Sequence, residues 1–230
     1  MTFKTLFLLL FSLTCSAEVL IPKASTQLLV VSSKDFNAST ASLQAYEKVN
    51  NSWEKRFKKV QVNLGRNGLA WGKGLISFNH KKYESIKKEG DGKAPAGLFS
   101  LDGFFGYEKQ AFNFNYLHLN TSDLCIDDSS SPEYNTLVKS TNSKHYKSFE
   151  TMRREDNLYA LGIRVGHNKQ QIKQAGSCIF IHIQRAKNSP TAGCTAMKEE
   201  ILLKLMKWLD KSKNPLLLQL PKSSLKEGFN

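Results

Sequence analysis

From Thr26 to Gly68 the chain alternates short β-branched, leucine-rich runs with Asn and Gly punctuation. That rhythm points to a sheet of short antiparallel strands rather than βαβ units. Thr26–Val31 and Leu43–Val49 read as strands, and Asn50-Asn51-Ser52 as the turn that follows. Trp53–Phe57 and Lys59–Leu64 continue the pattern, and Gly65, Asn67 and Gly68 mark the next turn. Leu158–Val165 reads as a further strand, while Asp127–Asn135 and Thr141–Tyr146 read as polar loops. One long helix is expected late. Thr195 would cap it, Glu199 and Glu200 would favour its dipole, and Met197, Ile201, Leu202, Leu205, Trp208 and Leu209 recur at helical spacing. Asn214-Pro215 stops it, and Leu216–Leu220 reads as a closing strand. The expectation is a mainly β single domain with a few helices.

Residues 1–17 read as a secretory signal peptide: Lys4 gives the positive start, Leu6–Leu13 the short apolar run, and Cys15-Ser16-Ala17 the small residues for cleavage. Ser12 and Thr14 fit a lipoprotein signal poorly. The apolar run is short for a stable membrane span, and no later segment is apolar for long enough to cross. The layout expected is signal peptide 1–17, a leader 18–25, one domain over 26–222 and a tail 223–230, with export to the periplasm or cell envelope. The formal net charge is +13. Such a balance suits an anionic envelope polymer, or reflects only solvated lysine faces. Nucleic acid is not expected as a partner of an exported chain. Zinc-site spacings are absent, so no structural metal is expected, and no organic cofactor is implied.

The segment from Cys178 to Thr195 carries the chemistry. Ile179, Ile181 and Ile183 alternate towards one face, which leaves His182 on the other with Phe180 and Cys178. A loop through Pro190 then reaches Thr191-Ala192-Gly193-Cys194, read here as opening the helix. A thiol at a helix N-terminus has a lowered pKa, and the free N–H groups there can hold an oxyanion. A nearby His serves as its base. Residue types alone also permit a buried structural cysteine and an unrelated histidine.

The same segment resembles the active-site motif of the L,D-transpeptidases of the YkuD type, in which an upstream His on a strand precedes a Ser/Thr-x-Gly-Cys step. Gln27–Val31, Gly65–Gly72, Glu89–Phe99, Cys125–Asp128, Pro132–Asn135 and Met152–Asp156 also resemble parts of that family, so the likeness runs from about Thr26 to Leu220. It implies a β-sandwich catalytic domain that acts on peptidoglycan stem peptides. Cys194 would be the nucleophile, His182 the base, and Gly193 part of the oxyanion region. Thr191 matches the small hydroxyl position, and Pro95 and Gly97 fall in the substrate-side signature. Arg185 is a candidate for a substrate carboxylate, and His167 a candidate to face the site or cap its strand. This sequence departs from the family at Ala192, where a second His is usual, and at Ala196, where Arg or Asn is usual. The His-to-Cys spacing is also shorter. Transfer to an amine, hydrolysis as an L,D-carboxypeptidase or endopeptidase, and a non-catalytic wall-binding module are all compatible with these residues. Three cysteines remain after the leader. Their odd count suggests a Cys125–Cys178 disulfide that leaves Cys194 free.

Overall fold

The computed structural model describes residues 19–225 apart from 79, 81 and 83. The expected signal peptide and the end of the tail, 226–230, lie outside the described residues. The strands are β1 (Gln27–Ser33), β2 (Thr40–Val49), β3 (Ser52–Asn63), β4 (Leu69–Trp71), β5 (Ala94–Gly106), β6 (Tyr116–His118), β7 (Asp123–Cys125), β8 (Leu137–Lys139) and β9 (Glu150–Thr151). They continue as β10 (Leu161–Val165), β11 (Phe180–Ile183), β12 (Thr195–Met197) and, after helix α1 (Glu199–Trp208), β13 (Leu216–Pro221). The protein is mainly β, as the sequence rhythm implies.

β1, β2 and β3 form an antiparallel meander. Asn50 and Asn51 make its tight turn with φ of 48° and 64°. The two strands expected across Trp53–Leu64 are one strand with a bulge. Phe57 sits there at φ 59°, and the Gln44 amide reaches the carbonyls of Ala45, Arg56 and Phe57 at 3.0, 2.7 and 3.1 Å. A side chain that satisfies the carbonyls freed by the bulge lets the strand continue instead of ending. Leu216–Pro221 is the closing strand expected at Leu216–Leu220, and it lies inside the sheet. β13 lies between β1, parallel to it, and β5, antiparallel to it, which explains its unbroken apolar run.

β5 makes the sheet close on itself. Gly97–Ser100 pair with β13, and Leu101–Gly106 pair with β10. From β10 the ladder continues through β11 and β12 to β3, back to the meander. The main buried core includes Leu28, Val31, Val62, Leu98, Phe99, Phe104, Ile163 and Ile181. Leu202, Leu205 and Met206 of α1 cover one side of the same core. Val19 and Ile21, ahead of the expected domain start, are also buried in it.

A smaller sheet, β8-β7-β9, stands beside this closed one. A disulfide joins Cys125, at the end of β7, to Cys178, just ahead of β11, and Cys194 is the free cysteine among the described residues. The crosslink closes a loop across a sequence separation of 53. Loop-closure entropy for that length corresponds to about 4 kcal/mol. A Cys125→Ala, Cys178→Ala double variant is therefore expected to lose stability of that order. Urea midpoints of the two proteins measure it, and an unchanged midpoint would show that the crosslink does not hold the small sheet in place.

Candidate active site

β10 and β11 pair antiparallel with Gly162 opposite His182. A Cβ at Gly162 would come within 2.1 Å of the Phe105 ring, so only glycine fits behind the histidine. β11 and β12 pair in parallel, with Ile181 opposite Thr195 and His182 opposite Ala196. Alternation along that register puts Phe180, His182, Cys194 and Ala196 on one face and Ile181 and Thr195 on the other. Cys194 thus sits one strand across and one pleat back from His182. The Phe180 N–H donates to its sulfur at 3.3 Å. On the opposite face Thr195 Oγ1 donates to Gln219 Oε1 at 2.7 Å, and Gln219 Nε2 donates to the Pro95 carbonyl at 2.8 Å. This buried relay ties the residue after the thiol to β13 and β5.

The helix expected to open at Cys194 does not. Residues 195–197 are strand β12, and α1 starts at Glu199 with Lys198 at its N-cap and no side-chain cap. Pairing with β11 overrides the capping signal of Thr195. No helix N-terminus faces the thiol, so the expected lowering of its pKa by a macrodipole is overturned. Burial instead pushes the Cys194 thiol up to about 12; the Glu150 charge adds to this, and the Phe180 N–H opposes it. Burial also pulls His182 down to about 4. At neutral pH the two groups rest as a neutral thiol and a neutral imidazole. Folded Cys194 is therefore expected to react with iodoacetamide at pH 8 at least about a hundredfold more slowly than in the urea-unfolded, disulfide-intact protein, since the thiolate is the reactive form. Mass spectrometry follows the rates, and similar rates in both states would contradict the burial argument.

His182 has its tautomer set locally. Nδ1–H donates to the Ile183 carbonyl at 2.8 Å, which leaves Nε2 as the unprotonated, basic nitrogen. Its ring also packs edge-on against Tyr159, with centroids 5.3 Å apart. The loop before the thiol is held by Thr191. Its Oγ1 donates to the Cys194 carbonyl at 2.7 Å and accepts from the Gly193 N–H at 3.1 Å. Gly193 is not in the left-handed region. Its constraint is a close approach, because a Cβ there would lie 3.0 Å from the Lys93 carbonyl oxygen.

Cys194, His182, Gly193, Thr191 and Arg185 all line one cavity of about 430 Å³, together with Ala192 and Ala196. Arg185 stands at its rim, 66% exposed and paired with Asp156 at 3.2 Å. Pro95 and Gly97 are buried in β5 away from the cavity lining, and Pro95 meets the site only through Gln219. His167 does not face the thiol. It is buried against Phe99 and lines a separate cavity. Its Nδ1 accepts from the Lys73 N–H at 3.3 Å and its Nε2–H donates to the Ala175 carbonyl at 3.0 Å, so both ring nitrogens serve the scaffold.

The lining includes groups that sequence patterns did not single out: Glu89, Asp127, Glu150, Arg154 and Tyr159. Tyr159 donates its hydroxyl to Glu150 at 2.5 Å, and burial holds the Glu150 carboxyl above its ordinary range. Glu89 accepts from Tyr134 and, at 2.7 Å, from Ser177. Glu89, Asp127, Arg154 and Tyr159 lie on loops and Glu150 on β9, with no common spacing, so no periodicity in the sequence gathers them. Asn135, within a stretch that resembles the family, has a clear structural task. Its side chain accepts from the Cys178 N–H at 2.9 Å and donates to the carbonyls of His167 and Asn168 at 2.9 Å each, which fixes the entry to β11.

Among the described residues no group of His, Cys, Asp and Glu is arranged to hold a metal ion, and no helix is long and apolar enough to cross a membrane. No protein-family model and no curated protein matches the chain. Among solved structures the chain is similar to the helical cell shape determining protein Pgp2 from Campylobacter jejuni, at 14% identity and a TM-score of 0.42. That similarity covers 84% of this chain and 47% of the other, so the chain spans about half the length of that protein.

Proposed function

We propose that this protein is a cysteine-dependent acyltransferase acting on peptidoglycan stem peptides, an L,D-transpeptidase that cross-links or remodels the cell wall from the periplasm or envelope. The observation that carries the reading is the pairing of β11 with β12. It brings Cys194 and a His182 with a free basic Nε2 onto one face of adjacent strands and into one cavity. The substrate class comes from the sequence resemblance to the YkuD-type family. Cys194 Sγ attacks the carbonyl of the amide before the terminal D-Ala as its proton passes to His182 Nε2. His182 then gives that proton to the leaving amine, and the C–N bond breaks. A side-chain amine of a second stem attacks the thioester, loses a proton to His182 and releases the thiol. Because the thiol and the imidazole rest neutral, proton transfer accompanies attack rather than preceding it.

The test is mass spectrometry of tetrapeptide muropeptides incubated with purified residues 18–230, beside a Cys194→Ala control. Cross-linked dimers that vanish in the control are the expected result. Cys194-dependent loss of D-Ala without dimers would replace the transferase with an L,D-carboxypeptidase. Untouched substrate in both samples would sink acyl transfer and favour a wall-binding module.

A further inference from the structure

The main core has an open flank. Between β2, β3 and α1 lies a cavity of about 480 Å³ whose apolar lining is Leu43, Ala45, Phe57, Val60, Ile201 and Leu205. Leu43, Ala45 and Leu205 are buried in the core, Val60 and Ile201 are half-buried against it, and Phe57 is 38% exposed. Protein interiors are close-packed, so apolar side chains around a hollow of this size forgo contacts that a guest would supply. The backbone at Phe57 is strained. Its φ of 59° lies in the left-handed region that a bulky aromatic residue rarely adopts. The Gln44 amide holds the bulge there, and the Phe57 ring packs edge-on against Trp208 with centroids 5.5 Å apart. Strain of this kind recurs at ligand clamps.

The charges beside the hollow have one sign. Lys58 and Lys204, both exposed, line it with the apolar residues, and among the described residues no carboxylate does. Lys204 Nζ stands 4.5 Å from the centre of the Phe57 ring. Among the described residues neither lysine forms an ion pair. The carboxylates of β2 and β3 are already taken: Glu47 by Arg56 and Lys213, and Glu54 by Arg56. On α1, Glu200 lies one turn ahead of Lys204 but pairs with Lys198 at 3.6 Å.

We infer that this cavity binds a single-chain amphiphilic anion of the fatty-acid type, with its alkyl chain among the apolar residues and its carboxylate at Lys58 and Lys204. The walls decide the class. β2 and β3 spend their main-chain groups on each other, and the carbonyls of the bulge are met by Gln44. A peptide would bring amide groups that find no partner among these side chains, whereas an alkyl chain brings none. The size falls within the ~300–1,000 Å³ usual for small-ligand cavities. The apolar surface is a hollow rather than a raised face, which suits insertion of one free chain better than the lie of a bilayer. The site is separate from the cavity of Cys194. β3 meets the candidate active site at Asn63, opposite Ala196, and Phe57 lies about 20 Å back along the strand. The inference therefore does not rest on the acyl-transfer reading.

The test is a titration of purified residues 18–230 with 12-bromododecanoate, below its micelle threshold, followed by quenching of Trp208 fluorescence. Saturable quenching at one equivalent is expected, and Trp208→Phe identifies the signal. Dodecanoate is expected to reverse it, while dodecyltrimethylammonium, with the same chain and the opposite charge, is not. A Lys58→Glu, Lys204→Glu double variant is expected to bind about tenfold more weakly or worse. Ala45→Phe, which fills the hollow, is expected to abolish saturation. Quenching that never saturates, reversal by the cationic chain as effective as by dodecanoate, or an affinity that the double variant leaves unchanged overturns the inference. Quenching by vesicles of brominated phosphatidylglycerol without quenching by the free chain overturns it in favour of a membrane contact. The wild-type titration and its two competitors need no variant, so poor folding of Ala45→Phe does not rescue a negative result.

Discussion

A His182→Gln variant is expected to turn over muropeptides about a hundred to ten thousand times more slowly than the wild type, the range for removal of a general acid–base group. Glutamine keeps a donor for the Ile183 carbonyl, which His182 Nδ1 contacts at 2.8 Å, but it cannot accept the thiol proton. Substrate binding depends on the cavity walls, so KM is expected to change far less than kcat. The pH profile carries an independent signature. Burial lowers His182 to about 4 and raises Cys194 to about 12. The working form, neutral in both groups, therefore persists well below pH 6. The acid limb of kcat/KM is expected near pH 4 to 5 rather than near the ordinary histidine value of about 6.5. A variant that keeps most of its turnover, or a wild-type acid limb near 6.5, would remove His182 as the buried base described here.

The site was legible in the sequence where it is local. Alternation in Cys178–Gln184 separates His182 from the isoleucines, and the structure buries Ile179 and Ile181 in the main core, apart from His182. The register between β11 and β12 was not legible, because parallel pairing is a contact between segments that no spacing rule encodes. That pairing is also why Thr195-Ala196-Met197 became a strand: hydrogen bonds to β11 outweighed a capping residue and one apolar position at helical spacing. The odd cysteine count left by the expected leader did anticipate the disulfide, since the export expected of such a chain would leave few other uses for two of three thiols. Phe57 shows a different failure. A polar-apolar break read as two strands was one bulged strand, because Gln44 on the neighbouring strand supplies the missing hydrogen bonds. The acidic side chains of the cavity were beyond reach for the same reason as the register: Glu89, Asp127 and Glu150 are far apart in the chain and meet only as lining of one cavity.

Acidification between pH 6.5 and pH 4 is expected to destabilise the fold by several kcal/mol through two histidines. Burial lowers both His167 and His182 to about 4 from an ordinary value of 6.5. Between those values the unfolded chain binds protons that the folded chain refuses, so stability falls as the pH falls through this window. Above pH 6.5 both states hold the rings neutral, and below about pH 4 both hold them charged, so the slope from these groups is confined to the interval. Each ring would contribute about 3 kcal/mol across it. Both rings are buried, at 2% and 6% exposure, so solvent does little to relieve the penalty. His167 is the cleaner test because it lies apart from the thiol, with its nitrogens committed to Lys73 and Ala175. His167→Gln is expected to start less stable at pH 7, having lost the edge-on contact with Phe99, yet to lose only about half as much on acidification as the wild type. Urea midpoints at pH 7, 5.5 and 4 read the difference. Asp128 and Asp156, both held near 2 by hydrogen bonds, contribute stability that disappears mainly below this window, so they do not mimic the histidine slope. Parallel midpoint-against-pH lines for wild type and His167→Gln would mean that His167 protonates without cost in the fold, and the ring would then have to be more open to water than its packing shows.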